Sequence, residues 1–183
     1  MSDTKTYLIA CGGHGRVVLD ALLSSQQTIH GVVDANIAIG TEIFGVKVVG
    51  GDDVIKSLDP QLTKIVKGFG STGSSIKRIE TFEHWSKSGF KFRGVIHKAA
   101  SIGAECKIAD SAQIMAGAVL QNRVSVGENV VINTRASIDH DVVIADHAVI
   151  SPGAIISGSV KIGHGAFVGA GAVIIQGIEI GDN

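Results

Sequence analysis

Every sixth residue from Ile96 to Ile180 is Ile, Leu or Val, at fifteen positions out of fifteen. Four residues after each stands a small or apolar residue, from Ala100 to Ile178, at fourteen positions out of fourteen. A repeat this strict admits few folds. Helices repeat every 3.6 residues and strands every two, so six residues fit one short strand plus one corner. Three hexads then close one triangular coil, in which each large aliphatic points inward and stacks on its counterpart in the next coil. The small residue also points inward, close to the corner. Gly103, Gly127, Gly163 and Gly169 fall between the two columns, where a corner needs φ > 0 or a close backbone approach. Each coil pairs only with its neighbours, as in other solenoids. Residues 96–183 hold fourteen complete hexads and four further residues, nearly five coils without an inserted loop.

Composition fits this design. The chain is 45% hydrophobic but only 4% aromatic, with 24 glycines; a narrow prism has no room for rings. It is too apolar and too weakly charged for a disordered chain. With 2 prolines and no Gly-X-Y period it is not collagen, and so many glycines argue against a helical bundle. Lys and Arg number 16 against 17 acids, with no basic run, which speaks against nucleic acid as a partner. Two cysteines, Cys11 and Cys106, make no disulfide framework; both read as inert core thiols. The apolar run at 8–11 is too short for a signal peptide or a membrane span, so the expected location is the cytoplasm.

The chain divides into 1–94 and 95–183. In the first part, an apolar run at 7–11 leads into Gly12, Gly13, His14 and Gly15. A helical pattern follows at 16–25, then a second apolar run at 30–33 ending at Asp34. Residues 52–58 and 75–86 read as helices and 64–66 and 91–95 as strands, with Gly68, Phe69, Gly70 and Ser71 as a loop after a strand. Strand, Gly loop, helix, strand, acid is a βαβ arrangement on a parallel sheet. The dinucleotide fingerprint G-x-G-x-x-G would fall on Ala10, Gly12 and Gly15, so its first glycine is missing. Gly12, Gly13 and Gly15 still let backbone N–H groups and a helix N-terminus face an anion, and Asp34 stands where it can accept a ribose or sugar hydroxyl. The alternative is a tight strand-to-helix turn with no ligand. A full NAD domain needs more chain than this, so a nucleotide or nucleotide sugar is the better fit.

Of seven histidines, the repeat places three. His140 and His164 fall two residues after the aliphatic column and His147 three after it, at outward or corner positions. His164 stacks with Asp110, Glu128, Asp146 and Asp182 in a solvated acidic ladder; His147 reads as a surface residue. His140 stacks with Asn122, Gly158 and Gln176 and is flanked by Asp139 and Asp141. A carboxylate beside an imidazole raises its basicity and fixes its tautomer. Spacings of 7, 17 and 24 among His140, His147 and His164 give no obvious three-His zinc cluster, and no metal is expected.

The two halves together resemble a family of bacterial sugar acyltransferases, which contains sialic-acid O-acetyltransferases and UDP-4-amino-sugar N-acetyltransferases. The resemblance rests on residues 7–15 with their Gly-Gly-His-Gly, on Val95, Ile96 and His97, on Asn133 and Thr134, on Ile138, Asp139, His140 and Asp141, and on Ser151, Pro152 and Gly153. It implies a Rossmann-like domain at 1–94, a left-handed parallel β-helix at 95–183, and a homotrimer with acetyl-CoA between adjacent β-helices. It makes His140 the general base and Asp141 the acid that raises its basicity. It also assigns Asn133 to the lining of the site, Gly12, Gly13, His14 and Gly15 to the nucleotide-sugar loop, Asp34 to a hydroxyl, and Gly158 to a backbone contact with the CoA arm; Gly68, in the loop after a strand, is a further substrate-binding candidate. Three positions depart from the pattern: Val149 where the family often has a His near acetyl-CoA, Ala35 where a second acid commonly follows Asp34, and the end at Asn183, partway through a coil.

The implied activity is acetyl transfer from acetyl-CoA to an amino or hydroxyl group of a nucleotide-activated sugar in surface glycan biosynthesis, a UDP-4-amino sugar being favoured. The alternatives are a sialic-acid O-acetyltransferase, and a non-catalytic sugar-nucleotide-binding or assembly module if a shortened C-terminus removes the CoA site.

Overall fold

A computed structural model describes residues 4–71 and 75–183; the polar start at 1–3 lies outside them. The chain forms two compact units, one of residues 1–70 and 81–93, the other of 71–80 and 94–183.

The first unit is an α/β layer. β1 (Lys5–Ile9), β2 (Gly31–Val33), β3 (Glu42–Ile43), β4 (Val46–Gly50), β5 (Thr63–Lys67) and β6 (Lys91–Phe92) form one sheet in the order β3-β4-β2-β1-β5-β6. All neighbours pair in parallel except β3 and β4. That hairpin was not anticipated from the sequence. Helices α1 (Gly13–Ser24), α2 (Asp52–Lys56) and α3 (Ile76–Lys87) connect the strands, close to the expected ranges. Leu8, Ile9, Leu19, Leu22, Ile55 and Ile65 are fully buried between the layers. Seven of the eight aromatic residues precede residue 96, and four of them pack in this unit: Phe82 stacks on Phe92 at 4.4 Å and Trp85 meets Phe90 edge-on at 5.7 Å. β1 has β2 on one side and β5 on the other. The chain therefore reverses direction across the sheet at β1, and a crevice opens there at the strand C-termini.

The second unit is a left-handed β-helix of hexads. Fifteen two-residue strands, from Val95–Ile96 to Glu179–Ile180, stack as three five-stranded parallel sheets. Each strand pairs with the strands three hexads away along the chain, as Gln113 with Val131 and Ile138 with Ile156. The aliphatic column is the core: from Ile114 to Ile162 no member is more than 3% exposed. Ile96 and Ile102, in the first coil, are 43% and 37% exposed, because only one side of that coil is covered by a neighbour.

The corners divide the work of glycine in two. Three residues after the column, φ lies between 58° and 70° at every corner from Glu105 to Asn183 except that of Ser111, and eight of these residues are not glycine. A left-handed residue with a side chain costs about 1–2 kcal/mol. It persists here because the coil ladder fixes it: Arg123 N–H donates to Ala104 O at 2.9 Å and Asp141 N–H to Asn122 O at 3.2 Å. The expected glycines Gly103, Gly127 and Gly163 sit two residues earlier, and a Cβ on them would run into the next coil's backbone. Theirs is the close-approach role.

His147 is corrected from a surface position to a buried one, 8% exposed. Arg78 and Ile79 lie over that corner. The Arg78 guanidinium, itself buried, donates to the carbonyls of Asn129 at 2.6 Å and His147 at 3.3 Å. The Asn129 amide donates to His147 Nδ1 at 2.7 Å. Burial lowers the Arg78 guanidinium to about 10, since desolvation disfavours the charged form.

Candidate functional sites

In the first unit, β1 ends at Ile9 and the chain turns through Ala10, whose φ is +65°. This is the place of the missing fingerprint glycine; Ala10 takes the left-handed conformation that glycine would supply freely. A Cβ on Gly15 or on Gly68 would collide with the Ala10 carbonyl oxygen. Both glycines let the helix and the β5 loop close onto that turn. Gly12 and Gly13 are different: added Cβ atoms there meet nothing within 4 Å. They edge an open cavity of about 410 Å³ with Cys11, Arg16, Asp34, Asn36 and Ile37. Arg16 N–H is the first to bond back along α1, to Gly12 O at 3.0 Å, so the turn before it presents its amides outward.

Asp34 holds this rim together. Its Oδ2 accepts from Cys11 N–H at 2.7 Å and its Oδ1 from Asn36 N–H at 2.8 Å. The carboxylate thus ties the β1 loop to the β2 loop while facing the cavity. Burial pushes the Cys11 thiol up, which keeps it protonated and unreactive. Sequence reasoning missed Arg16 and Asn36; their places, on the first turn after the Gly loop and two residues beyond Asp34, were the available signal. His14 and Gly15 are not among the residues lining this cavity, nor is Gly68.

In the second unit, a cleft of about 470 Å³ is lined by Asp139, His140, Ser157, Gly158, Ser159, Gln176 and Gly177. It contains the coil-spaced column His140, Gly158, Gln176 read from the sequence. His140 is half-exposed, and its ring lies across the next coil. A Cβ on Gly158 would stand 2.7 Å from both Cε1 and Nε2 of the imidazole. Gly158 is therefore the floor on which the ring rests. His140 N–H donates to Asp139 Oδ1 at 2.8 Å, and Asp141 Oδ2 lies 2.8 Å from His140 Nδ1. With Asp141 ionised, Nδ1 carries the proton and Nε2 keeps its lone pair.

Asp141 has a second partner. Arg123, one coil earlier at the same corner, donates from Nε to Oδ1 at 2.7 Å and from its terminal nitrogen to Oδ2 at 2.8 Å. The Arg123 hydrogen bonds, then the His140 one, hold the Asp141 carboxyl far below the usual carboxylate range. Sequence reasoning missed Arg123, although the position one full coil before Asp141 was the place to look. Asn133 is outside the cleft lining; its Oδ1 accepts from Thr134 N–H at 2.8 Å and closes its own corner. His147 and His164 lie ring to ring at 4.9 Å, one corner on from His140 along the chain. Among the described residues no three His, Cys, Asp or Glu side chains converge as for a metal, and no helix is long and apolar enough to cross a membrane.

Residues 5–83 match the model of the PglD N-terminal domain, and residues 123–158 that of the bacterial transferase hexapeptide, six repeats. No curated protein sequence matches the chain. Among solved structures, the acetyltransferase domain of PglB from Neisseria gonorrhoeae FA1090 is similar at 29% identity and a TM-score of 0.86. The match covers 98% of this chain and 86% of that one, and the domain is also solved in complex with acetyl coenzyme A. A point mutant of the perosamine N-acetyltransferase from Caulobacter crescentus, in complex with CoA and GDP-perosamine, follows at 25% identity and a TM-score of 0.78, over 98% of this chain and 91% of that one. WeeI from Acinetobacter baumannii AYE, at 18% identity and a TM-score of 0.75, shares the fold over 98% of this chain and 94% of that one. Over nearly its whole length the chain is thus similar to bacterial sugar acetyltransferases.

Proposed function

We propose that this protein transfers the acetyl group of acetyl-CoA to the amine of a nucleotide-activated sugar. The observation that carries this reading is His140: an imidazole at the lip of a cleft, its Nδ1 against a carboxylate and its Nε2 without a hydrogen bond among the described residues. The solenoid that bears it resembles one solved with acetyl-CoA. The amine attacks the thioester carbonyl carbon while His140 Nε2 takes its proton; the C–S bond breaks, and the imidazolium returns that proton to the departing sulfur, so CoA leaves as the thiol and His140 is neutral again. Help from a general base of this kind is worth about 10²–10⁴-fold. Asp141 supports the imidazolium that forms, Gly158 gives its ring a place to lie, and the cleft walls Ser157, Ser159 and Gln176 offer polar partners to the CoA arm.

The nucleotide sugar falls to the cavity at Gly12 and Gly13, where open backbone amides, Arg16 and the Asp34 carboxylate suit a diphosphate and a hydroxyl. An amine is favoured over a hydroxyl as acceptor because the perosamine enzyme is an N-acetyltransferase. UDP is the expected nucleotide and GDP its competitor. Ile155 and Val173 leave exposed apolar side chains on the outer face of one β-helix sheet, which supports assembly into a homotrimer. Acetyl-CoA and nucleotide sugars are cytoplasmic metabolites, so we place the reaction there, as a step toward surface glycans.

The test is release of CoA thiol from acetyl-CoA with a panel of UDP- and GDP-linked amino sugars, GDP-perosamine among them. One or more acceptors should turn over, and His140→Ala should lose at least about 10²-fold. No release with any acceptor, or a His140→Ala variant at the wild-type rate, would overturn the reading.

A further inference from the structure

We propose that Arg123 is a positioning residue: it grips both oxygens of Asp141 and so holds the carboxylate that sets the tautomer and aim of His140. This rests on His140 being the base.

A carboxylate on a corner has freedom to rotate, and one hydrogen bond from an imidazole does not fix its plane. The guanidinium fork does, because two parallel N–H···O bonds at 2.7 and 2.8 Å define that plane. Most exposed ion pairs contribute little, and this one is partly exposed on both sides. Its setting is unusual in another respect: both backbones are already locked. Arg123 and Asp141 have φ of 60° and 59°. They stand at equivalent corners of successive coils, about 4.8 Å from each other along the stack. Only the side chains remain to be ordered, which lowers the entropic cost of the fork. Oδ2 is shared, accepting from Arg123 and from His140 Nδ1. The guanidinium thus reaches the imidazole through one oxygen atom. Among the described residues, Asp139 and Asp141 bond to His140 and Arg123 to Asp141, with Glu105 acting on Arg123 from beyond. Arg123 is the single cation among them, set so that the carboxylates do not pull the ring toward another contact.

The tautomer is observable without substrate. In 15N NMR of the free, histidine-labelled protein at a pH where imidazole is neutral, His140 should show a protonated Nδ1 and a bare Nε2, with His140→Asn supplying the assignment. In Arg123→Gln the Nε2–H tautomer should gain population, and kcat should fall about 10–100-fold with little change in KM for acetyl-CoA. Arg123→Lys, which keeps the charge but not the fork, should recover part of both. A fall in kcat with the tautomer unmoved means that Arg123 acts only on the fold and overturns the proposal, as does Arg123→Gln with wild-type kcat and tautomer. The two readings fail separately: active His140→Asn sinks the base, whereas inactive His140→Asn beside an unaltered Arg123→Gln sinks only Arg123.

Discussion

At the scale of single residues, the two candidate sites differ in how a single methyl matters. Gly158 is needed for what it lacks. Its φ is not in the left-handed region, so Ala is acceptable to the backbone, but the new methyl takes the place of the His140 ring. Gly158→Ala should therefore keep its circular dichroism and melting curve while losing about 10–100-fold in kcat through a displaced base. Ala10 is the converse, a side chain where none is wanted. Ala10→Gly should stabilise by up to about 1 kcal/mol, the left-handed penalty less the added freedom of the unfolded chain, and raise Tm by about 2–4 °C in a thermal melt. The Asp141 carboxyl has its own pH signature. Its folded value is depressed, so its contribution is present above the unfolded value and is lost only as pH falls through the lower folded one. The 13C signal of that carboxyl should still be that of the ion at about pH 3.5, where a free aspartate is mostly protonated.

At the scale of elements, the hexad column governs tolerance by depth in the stack. Ile132 is fully buried between coils, while Ile102 is more than a third exposed. Ile132→Asp places an unpaired charge among aliphatics and should cost more than about 4 kcal/mol; Ile102→Asp should cost about 1 kcal/mol or less, as read by urea unfolding. The solenoid was legible because period six is written in the aliphatics themselves, and so was the His140 column. Arg123 was harder to see, since a cation one coil before an acid means nothing until the corner geometry sets them face to face. His147 was misplaced because the residues that bury it, near Arg78, are 69 positions away, and no periodicity crosses that distance. The loop glycines were recognised, but the sequence alone did not separate Gly12 and Gly13, which border open space, from Gly15 and Gly68, which close a turn.

At the scale of the whole molecule, the proposed function assigns one ligand to each unit and predicts that their binding is separable. Asp34→Asn should weaken binding of UDP or GDP in calorimetry without altering that of acetyl-CoA, while Gly158→Ala should do the reverse or leave both unchanged. Loss of both ligands from Asp34→Asn would mean that the units do not act independently in binding. The solenoid adds a rule about length. Removing one hexad between Arg123 and Asp141 keeps every strand a strand, yet turns all that follows by a third of a revolution. Asp146 and His147 would then stand one coil after Arg123 in the places of His140 and Asp141, and His140 would look out from another side. Only steps of three hexads leave the phase intact, so a chain of this kind can lengthen or shorten by whole coils and keep its chemistry pointing one way.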